Sequence, residues 1–131
     1  MKKIIVLFVL FVIAAAVIFT ATKVYAAGSG KVWAIHYDVS TGWPFPGRKG
    51  DMNTFQVGWD LGIQIVNYNP GDYTLTITRK ESGLTVYGPM SIHIYSKSIR
   101  NINLYPVPPE YAGYSYIVKF GGKTDTFRVA N

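Results

Sequence analysis

The stretch YSYIVKFGGKTDTFRV, residues 114–129 of the 131-residue chain, decides the fold. Its Gly121-Gly122 pair predicts a two-residue β-hairpin turn, because such turns need positive φ angles at both central positions. Pairing across the turn sets Tyr116 opposite Phe127, so the apolar residues of both strands lie on one face. A shift of one residue would destroy this match, so the register is well specified. The same register predicts three further pairs: Tyr114 with Val129, Ser115 with Arg128, and Lys119 with Thr124.

The residues between Lys31 and this hairpin alternate between apolar and polar, which is typical of β-strands with one buried face. Residues 55–65 alternate over eleven positions, with a bend or bulge expected at Gly58 or Gly62. Further strands are predicted at residues 73–78, at 100–105 and, as one or two edge strands interrupted by Gly88-Pro89, at 84–95. On the first strand, the residues expected to face the core are Trp33, Ile35, Tyr37 and Val39.

These strands predict an all-β, seven-stranded antiparallel sandwich of two sheets over residues 32–131. Hydrophobic residues make up 49% of the chain and charged residues 15%, which argues against disorder. After residue 27, no stretch has a helical period.

The first segment, residues 1–26, is predicted to be a signal peptide or a transmembrane signal anchor. Two lysines precede nineteen uncharged residues, 4–22, so we expect the N-terminus to stay in the cytoplasm and the rest to be exported. Val24-Tyr25-Ala26 suits cleavage after Ala26, whereas nineteen residues in a hydrophobic helix are just long enough to span a bilayer. Both fates stay open, with residues 27–31 as a short spacer.

A resemblance appears just before the hairpin. Glu110-Tyr111-Ala112-Gly113-Tyr114 is similar to the tyrosine corner of immunoglobulin-like domains, and Leu104-Tyr105-Pro106 resembles the approach to that corner in fibronectin type III domains. The resemblance implies an immunoglobulin-like sandwich over residues 31–129, in which the hydroxyl of Tyr114 bonds upstream backbone. The chain departs from true immunoglobulin domains because Tyr116 occupies the place of the second cysteine and the core tryptophan is missing. Such folds serve in binding and scaffolding, and the resemblance implies no active site.

Nine of the ten tyrosines divide by the face on which they are expected, and the tenth, Tyr25, lies in the predicted leader. Those expected in the core are Tyr37, Tyr73, Tyr114 and Tyr116. Those expected in turns or on outward faces, where a tyrosine surplus is typical of contact surfaces, are Tyr68, Tyr87, Tyr95, Tyr105 and Tyr111.

The long loop TGWPFPGRKGDMN, residues 41–53, is the candidate binding site. Trp43 and Phe45 lie among prolines and glycines, with Arg48 and Lys49 alongside. Aromatic rings beside cations suit a glycan or a pocket on a partner protein. The alternative is that both rings fold back and cap the open end of the sandwich.

Residues that carry chemistry are few. The absence of cysteine excludes disulfides, thiolate metal sites and a cysteine nucleophile. His36 and Asp38 share a strand face, but no third ligand is placed by spacing, so we predict neither a metal site nor a cofactor. Without residues 1–26 the chain has ten Lys and Arg against seven Asp and Glu. This net charge of +3 is too small and too scattered for nucleic-acid binding, and we expect no enzyme activity.

Three functions fit these expectations. The first is a membrane-anchored, extracytoplasmic accessory or scaffolding module that binds proteins in a larger membrane or cell-surface assembly. The second is a secreted filament subunit that assembles by β-strand exchange through its first strand. The third is a carbohydrate-binding or adhesion domain that uses Trp43 and Phe45.

Overall fold

A computed structural model describes residues 28–45 and 54–131, which form two packed β-sheets. The strands of this described part are β1 (Lys31–Asp38), β2 (Trp43–Pro44), β3 (Thr54–Phe55), β4 (Asp60–Val66), β5 (Gly71–Arg79), β6 (Thr85–Ile94), β7 (Ile99–Pro106), β8 (Ser115–Phe120) and β9 (Lys123–Val129). A 3-10 turn, Pro109–Tyr111, lies between β7 and β8. The predicted leader, residues 1–26, lies outside the described residues. Within the described ranges no helix has the length and apolar character needed to cross a membrane.

One sheet has four strands in the order β2-β1-β4-β7, and the other has five in the order β3-β9-β8-β5-β6. Seven strands were expected, and they correspond to β1 and β4–β9; the described residues add the two-residue strands β2 and β3. The predicted 55–65 strand is divided because Gly58 takes a φ of +89° and the chain changes sheet there. Phe55 and Leu61, on either side of the break, both face the core. The apolar alternation therefore continues in phase across Gly58, and the sequence pattern gives no sign that the strand is divided there.

The glycine hairpin has the predicted register. Tyr116 pairs with Phe127, and both are buried. The pair expected between Tyr114 and Val129 is replaced by a bulge, in which Gly113 and Tyr114 both stand opposite Val129. The Gly113 N–H donates to the Val129 carbonyl at 2.9 Å, and the Val129 N–H donates to the Tyr114 carbonyl at 3.0 Å. Gly113 has a φ of +84°, which this kind of bulge requires of its first residue.

The face of β1 that meets the core is the opposite of the predicted one. β1 pairs with β4 so that Val32 lies opposite Ile65 and Ala34 opposite Ile63, and all four belong to the core cluster. Trp33 and Tyr37 are therefore only partly buried, and Val39 is exposed in the following turn. Ile35 is buried although it lies outside that cluster. The prediction was wrong because β1 has apolar residues on both faces, and alternation alone cannot choose between them.

Several tyrosines differ from expectation in whether they are buried or exposed. Tyr73 and Tyr116 are buried as predicted, but Tyr114 is 40% exposed, whereas Tyr68 and Tyr111 are buried. Burial is possible for Tyr68 because its hydroxyl donates to the Phe120 carbonyl at 2.7 Å. The hydroxyls of Tyr111 and Tyr105 likewise lie 2.6 Å apart. Internal hydrogen-bond partners of this kind cannot be read from alternation.

The strand directions define two ends of the sandwich. β1 and β9 run the same way, and the Ala34 N–H donates to the Asp125 carboxylate at 2.8 Å, which ties the two sheets together. We call the end where the described chain begins, at Gly28, the proximal end; it carries the turns at residues 67–70, 95–98 and 121–122. The opposite, distal end carries residues 39–45, 56–59, 80–84 and 107–114.

The two hairpin glycines should respond differently to alanine. Both have positive φ, which costs an alanine about 1 kcal/mol. A Cβ on Gly121 would also lie 2.6 Å from the Tyr73 ring, whereas one on Gly122 meets nothing within 4 Å. We expect Gly122→Ala to lower the free energy of unfolding by about 1 kcal/mol and Gly121→Ala by about 3 kcal/mol, in urea titrations. Equal losses would contradict the close packing of this turn.

Candidate functional site

The described part of the candidate loop places Trp43 and Phe45 at the distal end, beside β1. β2 sets Trp43 opposite Asp38. The Phe45 N–H donates to the His36 carbonyl at 2.9 Å, which fixes the backbone of this segment. The other two predicted site residues, Arg48 and Lys49, lie outside the described residues, so their part in a site stays a prediction.

Phe45 is the outermost member of a series of ring contacts. Its centroid lies 4.3 Å from that of His36, and the His36 ring stacks on Trp59 at 4.0 Å with an angle of 2° between the planes. Trp59 in turn meets the fully buried Phe55 edge-on at 6.0 Å. Phe45 thus has the geometry expected of a cap on the core. Trp43 differs from it, because 53% of its surface is exposed.

The ring series continues through the core to the other side of the sandwich. Phe55 lies 5.1 Å from Phe127, and Phe127 lies 5.4 Å from Tyr116. Tyr116 stacks on Tyr111 at 4.5 Å, and Tyr111 meets Tyr105 on β7 at 6.0 Å. Aromatic side chains of both sheets therefore pack against one another in the interior of the distal end.

Arg79 and Tyr114 form a second feature of the distal end. The Arg79 guanidinium lies 4.1 Å from the Tyr114 ring centroid, and its Nη2 donates to the Tyr116 hydroxyl at 3.4 Å. Tyr114 was expected to be a buried corner residue with a hydroxyl bonded to backbone. Instead the bulge at Gly113 leaves it partly exposed under Arg79, and within the described chain the buried tyrosine of this corner is Tyr111.

Exposed large apolar side chains are concentrated at this end. Of the nine that the described residues present, Met90 lies on β6, and Tyr95 and Ile99 lie at the proximal end. The other six lie at the distal end: Val39, Trp43, Phe45, Val57, Leu84 and Tyr114. We call these six the distal apolar set. Soluble monomers usually scatter such residues, and a concentration of them is typical of interaction sites.

Two carboxylates of this end hold turns. Asp38 accepts hydrogen bonds from the hydroxyl and N–H of Ser40 at 2.7 and 2.9 Å, and these bonds lower its pKa. Glu81 accepts the Ser115 N–H at 2.9 Å, which lowers its pKa likewise. Within the described residues, no group of three or more His, Cys, Asp or Glu could hold a metal ion.

No known protein family matches the sequence, and searches of curated proteins and of solved structures also match nothing. A function is therefore inferred from the fold and its surfaces.

Several residues of this end were not singled out as site residues from the sequence. From the sequence, His36 was considered only beside Asp38 as a metal-ligand candidate, and Trp59, Arg79 and Leu84 were not singled out. Their shared signal is position: each lies at or next to the distal end of a strand.

Alanine substitutions should distinguish the exposed Trp43 from Trp59, which packs between other rings, by their effects on stability. Trp59→Ala removes the ring between His36 and Phe55, and we expect it to lower the free energy of unfolding by about 3 kcal/mol. Trp43→Ala should change it by less than about 0.5 kcal/mol, as is usual for exposed residues. Denaturant titrations check both values, and a large loss for Trp43→Ala would assign Trp43 to the cap.

Alkaline pH should destabilise the fold through its buried tyrosines. Burial, and then the hydrogen bond with Tyr111, raise the pKa of Tyr105 far above its ordinary value, and burial does the same for the pKa of Tyr68. Because these pKa values are higher in the folded than in the unfolded chain, full stability is present below about pH 10 and is lost as the pH rises further. Unfolding in urea between pH 8 and 11.5 measures this slope, and Tyr105→Phe should make it shallower. An unchanged slope would contradict the burial of this hydroxyl.

Proposed function

We propose that the chain is a non-enzymatic, membrane-anchored module of the immunoglobulin-like class on the extracytoplasmic side of a membrane. In this proposal its distal end binds a protein partner and stabilises a larger membrane or cell-surface assembly. The observation that carries the proposal is the exposed Trp43 at the distal end, together with the rest of the distal apolar set.

The order of the strands supports the immunoglobulin-like class. β1, β4 and β7 are neighbours in one sheet, and β9, β8, β5 and β6 follow one another in the other. The chain crosses between the sheets from β4 to β5 and again from β6 to β7, as Greek-key sandwiches do. The tyrosine-rich turn before β8 is the sequence feature on which the resemblance was first based.

Anchoring is supported by the sequence and by the direction of the chain. Residues 4–22 are uncharged and apolar, with lysines on both sides. The described chain begins at Gly28, at the proximal end, and five residues, 23–27, separate it from that apolar run in the sequence. An anchored chain would therefore present its distal end away from the bilayer, where a partner can reach it.

The mixed chemistry of the distal apolar set favours a protein over a glycan. A sugar ring stacks on flat aromatic surfaces, whereas half of this set consists of the aliphatic Val39, Val57 and Leu84. Tryptophan is enriched among the residues that carry most of the binding energy at protein interfaces. The Phe45 ring is already packed on His36, which leaves Trp43 as the one ring of the predicted pair that is more than half exposed.

Strand exchange through β1 has less support. It would break the six residue pairs between β1 and β4, together with the hydrogen bond between Ala34 and Asp125. Contact through the distal end needs no such rearrangement.

The proposal is tested with full-length protein extracted from its native membrane in mild detergent. We expect the wild-type chain, 14.6 kDa by itself, to migrate on native gels in a larger protein complex. Trp43→Ser should weaken that complex by about 30-fold in Kd, as expected for a tryptophan at the centre of an interface. Met90→Ser, which also removes an exposed apolar side chain but lies on β6 away from both ends, is the matched control and should leave the complex intact. A wild-type chain that migrates alone, or a complex insensitive to Trp43→Ser, would refute the proposal.

A further inference from the structure

We propose that the proximal end binds the anionic phospholipid headgroups of the membrane surface, so that the sandwich stands on the bilayer with its distal end outward. The inference rests on the proposed function in one respect, because an anchor at residues 4–22 would hold the proximal end beside the lipid. The other support for the inference comes from the charges, the exposed side chains and the cavity of the proximal end.

Positive charge is concentrated at the proximal end. Among the described residues, five cations lie there or in the adjoining half of a strand: Lys31, Lys97, Arg100, Lys119 and Lys123. Two acids accompany them, Asp72 and Asp125. The distal half has three cations, Arg79, Lys80 and Arg128, against four acids, Asp38, Asp60, Glu81 and Glu110. The described halves therefore carry net charges of +3 and −1, so an anionic surface is attracted to the proximal one.

The proximal acids already have partners, whereas three lysines there form no ion pair with any residue that the structure describes. The Asp72 carboxylate lies 2.6 Å from Nδ1 of His93, and Asp125 accepts the Ala34 N–H. Within the described residues, Lys31, Lys97 and Lys123 form no ion pair. Lys31 and Lys123 line one groove of about 380 Å³ between the starts of β1 and β9. Their ammonium groups are thus available to an external anion.

Exposed apolar side chains lie beside these charges. Tyr95 is 81% exposed and Ile99 is 52% exposed, and Lys97 lies between them in the chain. Tyrosine is enriched where membrane meets water, because its ring fits the headgroup region while its hydroxyl stays hydrated. Rings and aliphatic groups mixed with lysines are the composition of surfaces that bind lipid interfaces.

A cavity of about 240 Å³ opens beside Tyr95 and fits a phosphate group. It is lined by Ile65, Ile94, Tyr95, Ser96, Ser98 and Arg100. The Arg100 guanidinium and the Ser96 hydroxyl are donors of the kind that phosphate oxygens accept, whereas the Ser98 hydroxyl already donates to the Ser96 carbonyl at 3.4 Å. Arg100 is held at this position because its Nη1 donates to the His93 carbonyl at 3.1 Å. The apolar lining from Ile65 and Ile94 suits the glyceride part of a lipid better than a free phosphate ion.

The test uses the fact that the chain has no cysteine of its own. Pro70→Cys places one nitroxide label at the proximal end, and Ser82→Cys places the matched control label at the distal end. The full-length chain is reconstituted in nanodiscs of phosphatidylcholine, with or without phosphatidylglycerol, that also contain a nickel-chelating lipid. Nickel at the headgroups speeds relaxation of the label at position 70 strongly in anionic discs and weakly in neutral ones. The label at position 82 should respond in neither.

Two charge variants, equal in net change, complete the test. Each lysine near an anionic surface strengthens binding about fivefold, so Lys97→Gln/Lys123→Gln should weaken docking about 25-fold and remove the difference between the two kinds of disc. Lys80→Gln/Arg128→Gln at the distal end should keep that difference. Equal relaxation of the wild-type label at position 70 in both discs, or equal effects of the two variants, would overturn the inference.

Failure of the anchor can be told apart from failure of docking. If the native protein begins at Ala27, the membrane-anchored module is refuted. The processed chain is then floated with phosphatidylglycerol vesicles at low salt. Flotation that Lys97→Gln/Lys123→Gln abolishes would support the proximal lipid site, and a chain that stays in the lower fraction would overturn it.

Discussion

The contact between Tyr116 and Phe127, across the β8–β9 hairpin, is the interaction on which the rest of the structure depends. The Phe127 ring also contacts Phe55. From Phe55, successive ring contacts run through Trp59 and His36 to Phe45. The register of the hairpin therefore determines whether the distal end has a packed interior. A slip of one residue at the glycine turn would move Phe127 to the outer face and remove its contact with Phe55, from which the ring contacts extend to Phe45.

The two ends of the sandwich differ in chemistry because different types of residue lie in the turns and strand ends that form them. Turns at the distal end carry aliphatic and aromatic side chains together with acids whose hydrogen bonds stabilise the turns. The proximal end carries lysines that pair with no other described residue, one highly exposed tyrosine and a cavity lined by an arginine. In our proposals this difference gives each end its own partner: the proximal end contacts the lipid surface, and the distal end binds a protein.

The sequence predicted the fold where a local signal and the hydrophobic pattern agreed. Gly121-Gly122 specified both a turn and a register, so the pairs around Tyr116 were correct. Prediction failed on β1, where Val32 and Ala34 compete with Trp33 and Ile35 for the core and only pairing with β4 decides. It also failed for Tyr68, whose burial depends on a hydrogen bond to Phe120, 52 residues away in the chain. The exposure of Trp43 was anticipated as one of two alternatives, but the stack beneath Phe45 depends on a contact between His36 on β1 and Trp59 in the turn before β4.

The central claim is that the distal end contacts a protein in the assembled membrane. It is tested most directly by incorporating a photoreactive phenylalanine analogue at position 43 of the full-length chain in its native membrane. Irradiation should yield one discrete adduct with another protein, while the same analogue at position 95 should yield none with that protein. A chain that gives no protein adduct at position 43, or gives the same adduct at both positions, would contradict the account.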